Sequence, residues 1–155
     1  MSAAVTPAAH QDDHALAQFA GAWEHFVRAA RRAQGRANQA SSSALSHAQY
    51  LLVDVLLGEE SMTVSRLAAT AGVAQPTATR MLAGLEREGV LRRLGAPADR
   101  RVVLVELTPE GREIVAAKRA EVIALRHRIF ASIPAQQRVQ AAELLDVLTG
   151  AMEQL

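Results

Sequence analysis

The stretch that decides the fold runs from residue 63 to residue 111 and reads TVSRLAATAGVAQPTATRMLAGLEREGVLRRLGAPADRRVVLVELTPEG. Its first half carries apolar residues at helical spacing, interrupted once at Gly72. Its second half contains two β-rich runs separated by a polar segment with Gly, Pro and Asp. The stretch therefore predicts two short helices joined by a tight turn, followed by a β-hairpin.

The second of these helices has a clear inner and outer side. Thr63 can cap the first helix, Gly72 suits a left-handed turn, and Pro76 fits the first turn of the second helix, which should begin near Gln75. The inward stripe is apolar and consists of Ala78, Met81, Leu82 and Leu85. The outward residues are then Gln75, Pro76, Thr77, Thr79 and Arg80.

The hairpin should pair residues 90–94 with residues 102–107, and residues 95–101 should form a long polar tip. The tip ends in Asp99, Arg100 and Arg101, and Arg92 and Arg93 lie at the base of the hairpin. Residues 61–107 hold seven arginines against four carboxylates, a net charge of +3, whereas the whole chain carries +1. The positive charge is therefore concentrated in this segment.

Helical patterns continue on both sides of the stretch. An amphipathic helix should start near Asp13 and fade at Gly35, after a mobile tail over residues 1–12. Residues 38–44, rich in Ser, read as a connection, and Ser46 with Gln49 fits a capping box at the start of the next helix. Downstream, residues 108–110 (TPE) begin a long helix, and Pro134 ends it and begins a last one.

Composition excludes several classes of protein. A chain of 155 residues without Cys has no disulfide and no thiolate metal site. It lacks a long apolar run and a basic leader, so we expect a cytoplasmic protein that does not contact a membrane. No catalytic constellation or phosphate loop stands out, which predicts that the protein is not an enzyme and has no cofactor. His10 and His14 are four residues apart within the predicted tail, and we expect no metal site there.

The order helix, tight turn, helix, hairpin is that of a winged helix-turn-helix, whose second helix lies in the DNA major groove. The outward side chains suit base edges, because Gln pairs with adenine, Arg with guanine, and a Thr methyl packs on a thymine methyl. Narrow minor grooves attract Arg, so Arg100 or Arg101 should enter one, oriented by Asp99. Arg92 and Arg93 suit the flanking phosphates.

These residues give the chain a resemblance to the MarR family of bacterial transcriptional regulators. The similar segments are residues 67–73 (LAATAGV), 76–80 (PTATR), 85–91 (LEREGVL), 99–101 (DRR) and 107–111 (LTPEG). The resemblance implies a mainly α fold with a small β-hairpin, in which a winged helix-turn-helix over residues 45–107 is flanked by dimerisation helices. Those helices would comprise residues 13–37 and 108–155.

The resemblance also implies function. A homodimer would bind a palindromic site in double-stranded DNA and repress transcription until a ligand releases it. The family's ligand crevice would be lined by Trp23, Phe26, His47 and Tyr50, which suits a small aromatic or phenolic effector.

Two positions depart from the family pattern, and two alternatives remain open. Ala74 stands where the family often has Ser, so the recognition helix lacks a side-chain cap, and Ile133 stands before Pro134 where a capping residue is expected. The winged domain could instead bind another protein, since fold does not determine function. It could also bind DNA without any small-molecule effector.

Overall fold

The structure is a computed structural model that describes the backbone of residues 7–40, 45–96 and 99–155 and the side chains of residues 12–39, 45–95 and 103–155. The chain divides into two compact units, Met1–Ser42 and Ser43–Leu155. The described helices are α1 (Pro7–Ala40), α2 (His47–Val53), α3 (Val64–Thr70), α4 (Gln75–Arg87), α5 (Pro109–Ser132) and α6 (Arg138–Glu153). The described strands are β1 (Met62–Thr63), β2 (Leu91–Ala96) and β3 (Asp99–Leu107).

The first unit contains α1, which is longer than its apolar stripe predicts. It begins at Pro7, within the expected tail, and continues past Gly35 to Ala40, into the expected connection. Ala, Arg and Gln flank the stripe, and these residues form helices readily even where no apolar face requires one. The remaining parts of the predicted tail and connection, residues 1–6 and 41–44, lie outside the described residues.

The local start signals of the second unit act as expected. The Ser46 hydroxyl accepts from the Gln49 backbone N–H at 3.2 Å, and the Gln49 side chain accepts from the Ser46 N–H at 2.8 Å. Thr63 Oγ1 accepts from the Arg66 N–H at 3.2 Å and begins α3. After α2 the chain tightens into a 3-10 turn, Asp54–Leu57, before Gly58. Capping residues of their own sequence therefore fix the starts of α2 and α3.

The helices of the winged region share one apolar core. Leu52 and Leu56 from the α2 region, Leu67 from α3, and Leu82 and Leu85 from α4 are fully buried. The core continues onto the strands and α5 through Val90, Leu91, Val105 and Val115. Met81, expected in the core, is partly buried at its margin.

The sheet has three antiparallel strands in the order β1-β3-β2. The hairpin strands are longer than predicted, because β2 extends to Ala96 and β3 begins at Asp99, so the expected seven-residue tip is mostly strand. The third strand, β1, pairs Met62 with Val105 and Thr63 with Leu104 and was not predicted. A two-residue strand is too short to carry a period in the sequence.

The start of α5 is locked to the end of α4 by close backbone contacts. The Thr108 hydroxyl donates to the Gly89 carbonyl at 2.7 Å and accepts from the Gly111 N–H at 2.9 Å. The Thr108 N–H donates to the Val90 carbonyl at 3.1 Å. Gly111 lies so close that a Cβ at this position would come within 1.8 Å of the Val90 oxygen. A glycine is therefore required at the junction where α5 leaves the winged region.

Beyond this junction the apolar surface of the second unit has few partners. Val115 and Val122 of α5 are buried, but Ile129 and Phe130 near its end are more than half exposed. Ile133 ends α5 in an extended conformation, Pro134 precedes a 3-10 turn, and α6 follows. None of the residues of α6, all of which the structure describes, is buried. Across the described part of the chain, no helix is both long and apolar enough to cross a membrane.

Candidate nucleic-acid interface

The turn between α3 and α4 fixes the direction in which α4 leaves the core. Gly72 adopts φ of +62°, a left-handed conformation that costs glycine little. The N–H groups of Gly72 and Val73 donate to the carbonyls of Ala69 and Ala68 at 3.2 and 2.9 Å, which satisfies the end of α3. The two helices are thus joined by four residues, 71–74, the first three of which donate backbone hydrogen bonds to α3.

Burial on α4 separates an inner from an outer face. Ala78, Leu82 and Leu85 are fully buried. All five residues that the sequence analysis assigned to the outer face are exposed, namely Gln75, Pro76, Thr77, Thr79 and Arg80. The first turn and a half of α4 therefore presents polar side chains on a firmly packed helix.

Two hydrogen bonds organise this exposed face. Gln75 Nε2 donates to Ser65 Oγ on α3 at 3.1 Å. Thr79 Oγ1 donates to the Gln75 main-chain carbonyl at 2.8 Å, so its hydroxyl hydrogen is used within the helix. Thr79 can then offer its methyl group and its oxygen lone pairs to a ligand. Sequence reasoning missed the contribution of Ser65, because nothing in its local pattern distinguishes it from any exposed polar residue.

The cap of α4 is absent, as the sequence analysis expected. Ala74 occupies the N-cap position and makes no side-chain hydrogen bond to the first turn. Pro76 has no N–H of its own, so the first turn needs fewer partners than usual. The first turn therefore carries the positive end of the helix dipole without a capping side chain.

The wing carries the second group of candidate residues. The backbone of residues 99–101 belongs to β3, and Ala96 pairs with Asp99 after an irregularity between Gly95 and Ala96. The side chains of Asp99, Arg100 and Arg101 lie outside the described ones.

At the base of the wing, two arginines are engaged by carboxylates. Arg92 forms a hydrogen-bonded ion pair with Glu106, directly opposite on β3, and its side chain remains largely exposed. Arg93 Nε lies 3.3 Å from Glu86 Oε2 on α4. Among the described residues, Nε and Nη2 of Arg93 are shielded from solvent without a hydrogen-bond partner. Arg92 is thus the more accessible of the two to a phosphate, whereas Arg93 faces α4.

The four residues proposed for an effector are divided between the two units. On α1, Trp23 stacks on Phe19 with ring centroids 6.1 Å apart, and Phe26 is exposed. On α2, Tyr50 is buried and its ring lies 6.1 Å from that of His47. His47 and Tyr50 are thus neighbours in the second unit, and Trp23 and Phe26 lie three residues apart on α1.

The α2 pair has an unusual electrostatic environment. Burial lowers the pKa of His47, and the positive charges of Lys118 and Arg126 lower it further. Burial also raises the pKa of the Tyr50 hydroxyl, and its hydrogen bond to the Asp54 carboxylate adds to this effect. Both groups are therefore held in their neutral forms, which favours hydrogen bonding over charge pairing in this region.

One ion pair and two hydrogen bonds to main-chain carbonyls link the 3-10 turn after α2 to α5, and they were not predicted. Arg119 Nε donates to Asp54 Oδ1 at 2.7 Å, and its Nη2 donates to the Asp54 carbonyl at 3.0 Å. Two helical turns earlier, Arg112 Nη1 donates to the Leu56 carbonyl at 3.3 Å. Within α5 itself, the buried Lys118 pairs with Glu121 at 3.2 Å. The contacts of Arg112 and Arg119 hold the 3-10 turn that precedes β1 against the first half of α5.

Comparison with known proteins agrees with this architecture. The model of the MarR family matches residues 45–103. The homoprotocatechuate degradative operon repressor of Escherichia coli is 28% identical over 102 residues, which cover 66% of this chain and 69% of the repressor. The HTH-type transcriptional regulator YdgJ of Bacillus subtilis is 29% identical over 104 residues, or 67% of this chain and 62% of YdgJ.

Solved structures show the same fold over most of the chain. FabT of Streptococcus pneumoniae, crystallised in complex with DNA, superposes with a TM-score of 0.77 at 23% identity and covers 88% of this chain and 98% of its own. PcaV of Streptomyces coelicolor, in complex with its natural ligand, gives 0.71 at 21% identity, with 97% and 99% covered. The family comprises transcription regulators and not enzymes. Residues 45–103 therefore match the MarR family, and the chain has the winged helix-turn-helix fold of that family's DNA-binding transcriptional regulators.

Proposed function

We propose that the protein is a homodimeric repressor that binds a palindromic site in double-stranded DNA and is released from it by a small molecule. The observation that carries the proposal is the division of α4. Ala78, Leu82 and Leu85 are fully buried, and the five exposed residues of the outer face are free to meet a duplex. A helix presented in this way fits the major groove.

Base reading is assigned to the outer face of α4. Gln75 suits adenine, Arg80 suits guanine, and the threonine methyl groups of Thr77 and Thr79 suit thymine. Pro76 would shape the first turn of α4 beside these residues. From the wing, Arg100 or Arg101 would enter the adjacent minor groove with Asp99 orienting it. Arg92 would exchange Glu106 for a phosphate, and Arg93 would support the hairpin base beside it.

Dimerisation is supported by apolar surface that the monomer leaves exposed. On α1, Leu16 and Phe26 are at least 60% exposed, and on α6 the same holds for Val139, Val147 and Met152. Such surface on both terminal helices is more than a lone monomer ordinarily leaves in water. Two copies that bury it would place two α4 helices on half-sites about 10 bp apart, or a multiple of that. Such a protein would act in the cytoplasm, where its operator is.

Release by an effector is supported by the neutral pair on α2 and by two relatives. The Escherichia coli relative is named for the control of a degradative operon for an aromatic compound, and PcaV was crystallised with its natural ligand. His47 and Tyr50 offer uncharged hydrogen-bonding groups, and Trp23 and Phe26 offer aromatic surface. Groups of these two kinds suit a small aromatic or phenolic molecule.

The proposal is tested by a salt titration of binding to the upstream region of its own gene. The variant Arg100→Ala/Arg101→Ala should bind at least about tenfold more weakly, since a base-directed arginine contributes roughly 1–3 kcal/mol. The variant Arg31→Ala/Arg32→Ala, which removes the same charge from the exposed surface of α1, is the matched control. Unchanged affinity of the wing variant would favour a protein-interaction module instead. Binding that no phenolic acid weakens would favour a DNA binder without an effector.

A further inference from the structure

The contact between Ser65 and Gln75 joins the two helices of the helix-turn-helix on their exposed side. Gln75 Nε2 donates to Ser65 Oγ at 3.1 Å across ten residues of chain. Both residues are exposed, and neither belongs to the apolar core. The bond therefore adds nothing to core packing, and its effect falls on the orientation of the Gln75 amide.

The amide of Gln75 keeps enough hydrogen-bonding capacity to read a base. It has two N–H donors and one carbonyl oxygen, and Ser65 accepts from one donor only. The remaining N–H and the Oε1 atom form the pair that binds N7 and the N6 amino group of adenine. With Nε2 held by Ser65, Oε1 and the free N–H can point together away from α3.

A long polar side chain binds DNA more tightly when it is already oriented before the complex forms. A free glutamine samples many rotamers, and ordering it on DNA opposes binding. A side chain that is already held pays less of this entropy at the moment of binding, and it also rejects a base that does not match its fixed geometry.

We propose that Ser65 is a positioning residue that holds Gln75 in place to read one adenine in each half-site. This inference rests on the proposed entry of α4 into the major groove. It assigns Ser65, a residue of the supporting helix, a part in sequence specificity.

The role of Ser65 can be separated from stability. Thr63, and not Ser65, caps α3, through its bond to the Arg66 N–H. Replacing Ser65 by Ala leaves that cap intact and introduces a better helix former at an exposed position. The variant should therefore fold as well as the parent, and any change in its DNA binding reports on Gln75.

The experiment measures the affinity of the full-length protein for its operator and for every single base-pair replacement of it, by fluorescence anisotropy. The variants are Ser65→Ala, Gln75→Ala and the conservative Ser65→Thr, which keeps the hydroxyl. The parent should prefer one A·T pair per half-site by about tenfold or more. Gln75→Ala should abolish that preference, and Ser65→Ala should reduce it roughly threefold or more at that pair alone. Ser65→Thr should retain it.

Three results would overturn the inference: a Ser65→Ala profile equal to that of the parent, a loss spread evenly over all base pairs, or a Gln75→Ala variant with full discrimination. The even loss would indicate a contact with the DNA backbone or an effect on the fold. A parent protein that bound all duplexes alike would instead overturn the proposed function, and the role of Ser65 with it.

Discussion

Among the glycines that the structure describes, Gly111 is the one whose replacement by Ala should destabilise the protein most. An added Cβ would lie 1.8 Å from the Val90 oxygen, 2.7 Å from the Val90 carbon and 3.0 Å from Thr108 Oγ1. The two nearest atoms are backbone, so no flexible side chain can yield. To reach an ordinary close C···O contact of about 3.3 Å, the first turn of α5 would have to retreat by about 1.5 Å.

That retreat would break the junction between α4 and α5. The bonds at stake are those from the Thr108 N–H to the Val90 carbonyl, 3.1 Å, and from the Thr108 hydroxyl to the Gly89 carbonyl, 2.7 Å. Each contributes about 1 kcal/mol, and overpacking adds roughly 1–3 kcal/mol, so the variant should lose about 3–5 kcal/mol. Domains of this kind have total stabilities of roughly 5–15 kcal/mol.

The measurement is urea denaturation followed by circular dichroism at one fixed protein concentration, since dimerisation couples stability to concentration. Gly84→Ala in α4 is the matched control, because its Cβ would meet nothing within 4 Å. There the same methyl should raise the free energy of unfolding by about 0.5–1 kcal/mol, the usual preference for Ala over Gly in a helix. A Gly111→Ala variant whose free energy of unfolding equals that of the parent would refute the reasoning about this junction.

Two further predictions concern α4 and α2. Ala74→Ser should cap α4 and raise the free energy of unfolding by about 1 kcal/mol in the same urea assay, and no gain would mean that the hydroxyl cannot reach the first turn. The pKa of His47 lies below 6.5 in the folded protein. As the pH falls below 6.5, His47 therefore binds a proton in the unfolded chain before it does so in the folded protein. Stability should therefore fall as the pH drops below 6.5 and level off beneath the folded pKa. His47→Gln should show a smaller decline over that range, and an equal decline in both proteins would contradict the assignment.

Much of the fold follows from signals that act over three or four residues. The capping side chains Ser46, Thr63 and Thr108 each bond to a backbone N–H three positions ahead, so the sequence alone predicts where α2, α3 and α5 begin. The lengths of α1 and of the hairpin strands were predicted less well. Helix and strand ends depend on weak local preferences that neighbouring structure readily overrides.

The candidate interface divides in the same way. The outward face of α4 follows from the period of its buried stripe, and the family pattern adds the wing. Neither could indicate that Arg92 and Arg93 face carboxylates, or that Ser65 holds Gln75. Those pairings depend on the angle at which two elements pack, and this angle leaves no repeating pattern in the amino-acid sequence.

By itself, then, the amino-acid sequence determined where α2, α3, α4 and α5 begin, the left-handed turn at Gly72 and the side of α4 that is buried. Backbone geometry and apolar periodicity within one element are sufficient for each of these. Only the tertiary structure decided that β1 pairs with β3, that Arg119 binds Asp54 from 65 residues away, and that Gly111 meets the Val90 carbonyl. These contacts join elements distant in sequence, and their partners are chosen by how the core brings the elements together.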